Sequence, residues 1–265
     1  MLKFRFDTSL ESVANHAMEI ELSKELRPPS DTPEFDVARV RSAFDFFVEL
    51  GQRFGIQMRG YNDPSLTLLR ALEPTLRSLI AESILDLAKV WTEILVDLDR
   101  SKVVGTGAPS GSEVSLDLLQ SRALWRTLAR HGFRVPSDLF ASIGPSHIVE
   151  VYTAQSIQVF RSLSFFSVCS YTIEQIYSIP WYELYQRDEI ANEQSLSLLA
   201  RAQTGELRGI VNEERSVHSV YECLPGHSLR TRIQPATLCF FEDEGGQLSG
   251  YLHSFQILPG ERSVL

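Results

Sequence analysis

Phe240-Phe241-Glu242-Asp243-Glu244-Gly245-Gly246-Gln247-Leu248-Ser249-Gly250-Tyr251 is the stretch that sets the fold class. An acidic Gly-Gly turn between two apolar runs predicts a β-hairpin, because glycine supplies the positive φ that a tight turn needs. The strand before the turn covers residues 229–241. The strand after it covers 247–258 and closes at Pro259-Gly260. A third strand, 217–224, ends at Pro225-Gly226-His227. Upstream, residues 190–203 read as a helix with Leu196, Leu199 and Ala200 inward, closed by Thr204-Gly205-Glu206. Two more strand-like runs, 148–152 and 156–160, flank Thr153-Ala154-Gln155, and helical segments fill the interval to about Tyr185. The C-terminal part of the chain is therefore expected to be α+β.

Four segments within it carry a family likeness: Ser170-Tyr171-Thr172-Ile173-Glu174-Gln175-Ile176, Tyr185-Gln186-Arg187-Asp188-Glu189, Tyr221-Glu222-Cys223-Leu224-Pro225-Gly226-His227-Ser228, and Glu242 to Gly250 of the hairpin. In this order and spacing they resemble a PAS domain, over residues 146–258. Ser170 stands where that family usually has glycine. The Gly-Asn-Cys-Arg segment of its flavin photoreceptor relatives is absent, and Cys169 does not replace it. The resemblance implies a five-stranded antiparallel sheet with helices over one face, and a sensory or protein-interaction role. It also implies that a small apolar ligand could lie between sheet and helices, in a pocket drawn from Phe165, Tyr171, Trp181, Tyr185, Leu199, Tyr221 and Cys223. The nature of any cofactor is left unknown. On the third-last strand either Tyr221 with Cys223 or Val220 with Glu222 must face inward. Burying a glutamate costs more, so Tyr221 and Cys223 are expected inside, and Tyr221→Ala should then cost about 3 kcal/mol. PAS strands are usually followed by a signalling helix. This sequence ends seven residues after Leu258, so an outgoing signal is expected to use the N-terminal helices or a bound partner.

The N-terminal region, to a boundary at Gly144-Pro145, reads as all-helical. The breaker cluster at 27–34 precedes a helix start at Asp31 or Thr32, with Phe35, Val40, Phe44, Phe47, Val48 and Phe54 at near-helical spacing. Asn62-Asp63-Pro64-Ser65 starts a second, glycine-free stretch to about Arg100. Leu69, Leu72, Leu76 and Leu79 lead its apolar stripe, and Pro74 should kink or break it. The stripe continues through Ile80 to Ile84, Leu87, Trp91, Ile94 and Leu98 in a heptad-like register. That register fits burial within the chain first, and it also fits a homodimer seam through Ile84, Leu87, Trp91, Ile94 and Leu98. A further helix spans 113–131, with Leu116, Leu119, Leu124, Trp125 and Leu128 on or near one face and Gly132 closing it.

Composition narrows the function. The 265 residues carry a net charge of −9, with −3 before residue 146 and −6 after it. Neither part has the basic footprint of a phosphate-backbone binder, so nucleic acid is disfavoured. Cys169, Cys223 and Cys239 lack the spacing of a disulfide framework or zinc site and read as thiols in a reducing compartment. The N-terminus lacks an apolar signal core and no apolar run is long enough to span a bilayer, so a cytoplasmic location without membrane contact is expected. The six histidines form no helical metal pair, and 190–203 holds no histidine for a haem. Gly105-Thr106-Gly107 follows a helix and is no dinucleotide fingerprint. Glu25-Leu26-Arg27-Pro28 follows Lys24, where a histidine-kinase phosphoacceptor box would place histidine. Glu242-Asp243-Glu244 is explained by a solvated hairpin tip. No nucleophile, base and orienter can be assembled, so no catalytic residue is expected. What remains is a non-catalytic signalling or regulatory protein whose partner is a second copy or a regulatory protein. A ligand-free scaffold and a transcription regulator using the helices are the alternatives.

Overall fold

The computed structural model describes residues 35–103, 115–227 and 229–264. The breaker cluster at 27–34, the segment Glu25-Leu26-Arg27-Pro28, the first residues of the chain and nearly all of the loop at 103–112 lie outside the described residues. Asp36 starts α1 (Val37–Arg53), its carboxylate accepting from the Ala38 and Arg39 amides at 3.0 and 3.1 Å. Those are two of the four donors that a helix start leaves open. Pro74 does not kink a long helix. It separates a short α2 (Thr67–Ala71) from α3 (Pro74–Val103), standing at the first position of α3, where its missing N–H costs nothing. Glu73 caps α3 through the Thr75 and Leu76 amides. Ser115 caps α4 (Leu116–Arg130), and Gly132 closes it at φ 65°. A short α5 (Leu139–Ser142) leads into the sheet.

The apolar stripe of α3 is used inside the chain. Ile84, Leu87, Trp91 and Ile94 are buried, Leu98 packs against the same cluster, and α3 touches α1, α4 and the sheet. This corrects the dimer-seam reading: the heptad-like face is occupied by neighbouring helices and leaves no exposed seam. Arg126 and Arg130 of α4 reach Asp97 and Glu93 of α3 at 2.5 and 2.6 Å along the exposed side of that contact. Trp125, expected near the buried face of α4, is instead exposed.

The remaining elements are β1 (Ile148–Thr153), β2 (Gln158–Arg161), a 3-10 turn (Leu163–Ser167), α6 (Ile173–Ser178), α7 (Trp181–Leu184), β3 (Tyr185–Arg187), α8 (Glu189–Gln203), β4 (Gly209–Ile210), β5 (His218–Glu222), β6 (Leu229–Glu242) and β7 (Leu248–Val264). All strand pairs are antiparallel, in the order β2-β1-β7-β6-β5-β3, with β4 on β6. The chain is thus α+β, with helices first and then one curled antiparallel sheet. Seven strands stand where five were expected. The extra two, β3 and β4, are too short to show a period in sequence, and β3 forms where Tyr185 was expected in a helical segment. The turn after β6 works as expected: Gly246 has φ 77°, and Asp243 Oδ1 accepts from the Gln247 amide at 2.9 Å.

Both faces of the sheet are covered. Val149, Val151, Leu252, Cys239 and Phe241 belong to the same core cluster as the helices, and Phe133 stacks on Phe241 at 5.0 Å between ring centres. Ser83 of α3 donates to Gln158 O at 2.5 Å, tying helix to edge strand. Gly250 sits where a Cβ would lie 2.5 Å from Tyr152 O and 2.8 Å from the Phe133 ring. The change at Gly144-Pro145 is therefore one of secondary structure, with one continuous core running through it. On the other face Tyr152, Leu238, Phe240 and Tyr251 pack against Leu198 and Ala202 of α8. The inward face of α8 is thus Ala191, Leu198 and Ala202. Leu199 packs on this cluster as expected, whereas Leu196 is only half-buried and Ala200 is exposed. No helix among the described residues is long and apolar enough to cross a membrane.

Candidate functional site

Between the sheet and α7–α8 the packing is incomplete. It leaves two lobes of about 70 and about 50 Å³. Arg187 and Trp181 line both lobes, with the Arg187 guanidinium 4.4 Å above the Trp181 ring centre. Trp181 comes from α7, which starts after Pro180 where the fixed φ of proline suits a helix entry. Arg187 ends β3, whose pairing with Val220 of β5 fixes its direction.

Of the seven residues expected in the pocket, Phe165, Trp181 and Tyr185 line the smaller lobe, and Trp181 and Leu199 line the larger. Tyr171 is buried beside the smaller lobe but serves as a pin: its hydroxyl donates to Leu184 O at 2.6 Å and accepts from the Cys223 and Leu224 amides. Tyr221 and Cys223 are not in the cavity. The parity of β5 is the reverse of that expected, with Val220 and Glu222 facing in and Cys223 exposed. The cost of burying Glu222 is met by Ser170, whose amide donates to Oε1 at 2.8 Å and whose hydroxyl donates to Oε2. His227 Nδ1 lies 2.5 Å from the same hydroxyl oxygen. Since the Ser170 proton is committed to the carboxylate, the imidazole is the donor there. That is the reverse of a base poised to take the serine proton.

Sequence reading missed the charged residues of the site. Glu150 and Arg161 lie in apolar strands, where their charge was itself the signal. Arg161 Nη2 meets Glu150 Oε2 at 2.7 Å and donates to the Tyr152 hydroxyl at 2.8 Å and to Gln158 Oε1 at 2.7 Å. Its guanidinium covers the Phe165 ring at 4.1 Å. His253, directly across from Glu150 in the β1–β7 register, places Nδ1 3.0 Å from Glu150 Oε1. Burial alone would raise the Glu150 pKa, but Arg161 and then His253 bring it down to about 2. Burial works against charge on Arg161 too, yet Tyr152 and Glu150 hold its pKa above the ordinary value. For His253 burial prevails and lowers the pKa, so the neutral ring donates through Nδ1 to the carboxylate. Burial pushes the Cys169 thiol, 3.2 Å from the Tyr185 hydroxyl, up to about 12.

The cavity is connected to the helical half through residues 169–178. Ser170, held by Glu222 on the cavity side, accepts from Arg59 Nη2 through its carbonyl at 3.0 Å. The Ile173 and Glu174 amides donate to Arg59 O and Gly60 O. Glu174 Oε1 in turn accepts from the Leu68 and Leu69 amides at 3.0 and 3.2 Å, capping α2, which has no side-chain cap of its own. Among the described residues no group of histidine, cysteine and carboxylate side chains could hold a metal ion. No family model, no curated protein and no solved structure matches the chain.

Proposed function

We propose that the chain is a non-catalytic sensory or regulatory module, PAS-like in its C-terminal half, that reports the occupancy of the sheet-side cavity to its N-terminal helices. The observation that carries this reading is the double attachment of residues 169–178. One bond set holds Glu222 in the cavity wall, and the other holds Arg59, Gly60 and the start of α2. A ligand that favours one arrangement of that wall shifts the helices by its differential affinity. The order of the longer elements supports the PAS-like part: two strands, helices, a longer helix, then three longer strands in one antiparallel sheet, with the short β3 and β4 as additions to it. The intramolecular use of the α3 stripe weighs against a scaffold built on that seam, and the net −3 of the first 145 residues weighs against a DNA-reading element.

Native mass spectrometry of the full-length protein, with an absorption spectrum of the same sample, tests the reading. One small molecule per chain, or its appearance on adding candidate metabolites, is the expected result. A bare chain that neither gains mass nor changes melting temperature across a panel of small apolar and anionic compounds would overturn it.

A further inference from the structure

The acids facing the cavity are already used by the fold. Glu150 is held by Arg161 and His253, and Glu222 by Ser170. Two cations on the wall of the larger lobe are not matched in this way. Among the described residues the Arg187 side chain makes no hydrogen bond and no close ion pair, and Glu150, already bound by Arg161, acts on it only through space. The guanidinium lies on Trp181, and its Nη1 is shut off from solvent without a partner. Among the described residues Arg215 donates only to a neutral acceptor, Ala236 O, at 2.7 Å. Burial pushes Arg215 down to about 10 and lowers Arg187 as well. His218, only 8% exposed, is neutral: burial lowers its pKa, its Nδ1 donates to Ser216 O at 2.9 Å, and its buried Nε2 is an unpartnered acceptor that cannot bind an anion, so the charge on this wall comes from the two arginines alone. Arg187, Arg215 and His218 all line the same lobe.

We infer that the cavity takes a small organic carboxylate, with the anion against Arg187 and Arg215 and an apolar body among Trp181, Tyr152, Tyr251 and Leu198. The inference rests on the ligand-sensing reading above and adds to it the ligand's charge and size. A neutral apolar ligand would leave a buried guanidinium unpaired, which is the more costly arrangement. A guanidinium placed over an indole keeps its N–H groups for an acceptor beside the ring, and a carboxylate matches that planar fork. The size is bounded too. At about 10–15 Å³ for each water-sized sphere, the larger lobe holds roughly five to seven such spheres. Short branched acids match this space, a single-ring acid marks its upper limit, and nucleotides and polycyclic cofactors exceed it. Inorganic anions would leave the aromatic walls without contacts.

Isothermal titration calorimetry on the full-length protein separates the alternatives, using benzoate and isobutyrate against their neutral isosteres benzamide and isobutyramide. At least one acid is expected to bind at one site per chain, about ten- to a hundredfold tighter than its amide, as one lost charged hydrogen bond implies. Arg187→Met should bring the ratio of acid to amide affinity to within about threefold of one, whatever it does to the amide affinity itself. Arg215→Gln should move acid affinity in the same direction and serves if the first variant fails to fold. Acids and amides binding alike, or an acid preference that survives both substitutions, would overturn the carboxylate while leaving ligand sensing intact. No heat from any probe, together with a chain that stays bare in native mass spectrometry, would sink both.

Discussion

Arg161→Met isolates the charge of the buried network, because methionine keeps much of the stem that packs on Phe165 and removes only the guanidinium. The magnitude follows from Glu150. Its pKa stands at about 2 in the fold against an ordinary 4.5. At 1.36 kcal/mol per unit that shift is worth about 3 kcal/mol. The sign is that of a depressed carboxylate: the stabilisation is complete above the ordinary value and disappears as pH falls from about 4.5 toward about 2. Breaking a buried pair from one side costs about 3–5 kcal/mol by a separate route, the penalty of stranding the other charge. The two figures agree, so Arg161→Met should lower stability at pH 7 by about 3–4 kcal/mol. Urea unfolding followed by circular dichroism at pH 7, 4.5 and 3 checks this. The wild type should weaken between the two lower pH values. In the variant, burial raises the Glu150 pKa against only the smaller pull of His253 and Arg187, so that acid loss should shrink. The double variant Glu150→Leu/Arg161→Met should recover most of the loss, since an apolar replacement leaves no charge stranded. If the single variant stays within about 1 kcal/mol of wild type, or keeps the same acid dependence, the electrostatic account of the network is wrong.

Other outcomes follow from particular contacts. Gly250→Ala should cost about 2–3 kcal/mol, because the new Cβ meets the Tyr152 carbonyl and the Phe133 ring, and a melting curve within a degree of wild type would contradict it. Tyr221→Ala should cost only about 1 kcal/mol, well below the 3 kcal/mol that an inward side chain implies, since Tyr221 lies off the cavity beside Arg230. Thiol titration of the native protein should label Cys223 alone, as burial pushes Cys169 and Cys239 each up to about 12, and Cys223→Ser should abolish the fast phase. Trp91→Ala should destabilise by about 3–5 kcal/mol without changing the elution volume of the folded fraction, whereas loss of a dimer on that substitution would restore the seam reading.

The parts that sequence showed well are those governed by local rules. The Asp243–Gly246 turn, the break at Pro74, and the closing glycines Gly132 and Gly205 depend on neighbours within a few residues. The parity of β5 did not yield to the same reasoning. The cost of burying Glu222 was weighed without Ser170, a partner 52 residues away that no local pattern announces. The α3 stripe was ambiguous for a related reason: a heptad-like register records that a face is buried, not which chain buries it. Arg187 gave no sign at all, because an arginine at the end of a three-residue strand looks solvated until the strand's partner is known.

Under the sensing reading, the energy needed to move the helices is small enough for one bond to carry. Couplings between sites amount to about 1–3 kcal/mol, and a hydrogen bond to a charged group is worth about 1.5–3 kcal/mol. The Ser170 amide bond to Glu222 is of that kind, and it joins the wall of the smaller lobe to the segment that holds Arg59 and caps α2. Arg187 lines that lobe as well as the larger one. A carboxylate that draws its guanidinium into the larger lobe takes positive charge away from the lobe that Glu222 lines. Glu222 would then rely more heavily on Ser170 and His227. The resting state holds the opposite arrangement at a cost, since one Arg187 nitrogen is buried without a partner and Glu150, already bound by Arg161, offsets its charge only through space. Proteins keep such a cost where function needs it, and here the acids of the same cavity are matched by close partners while this cation is not.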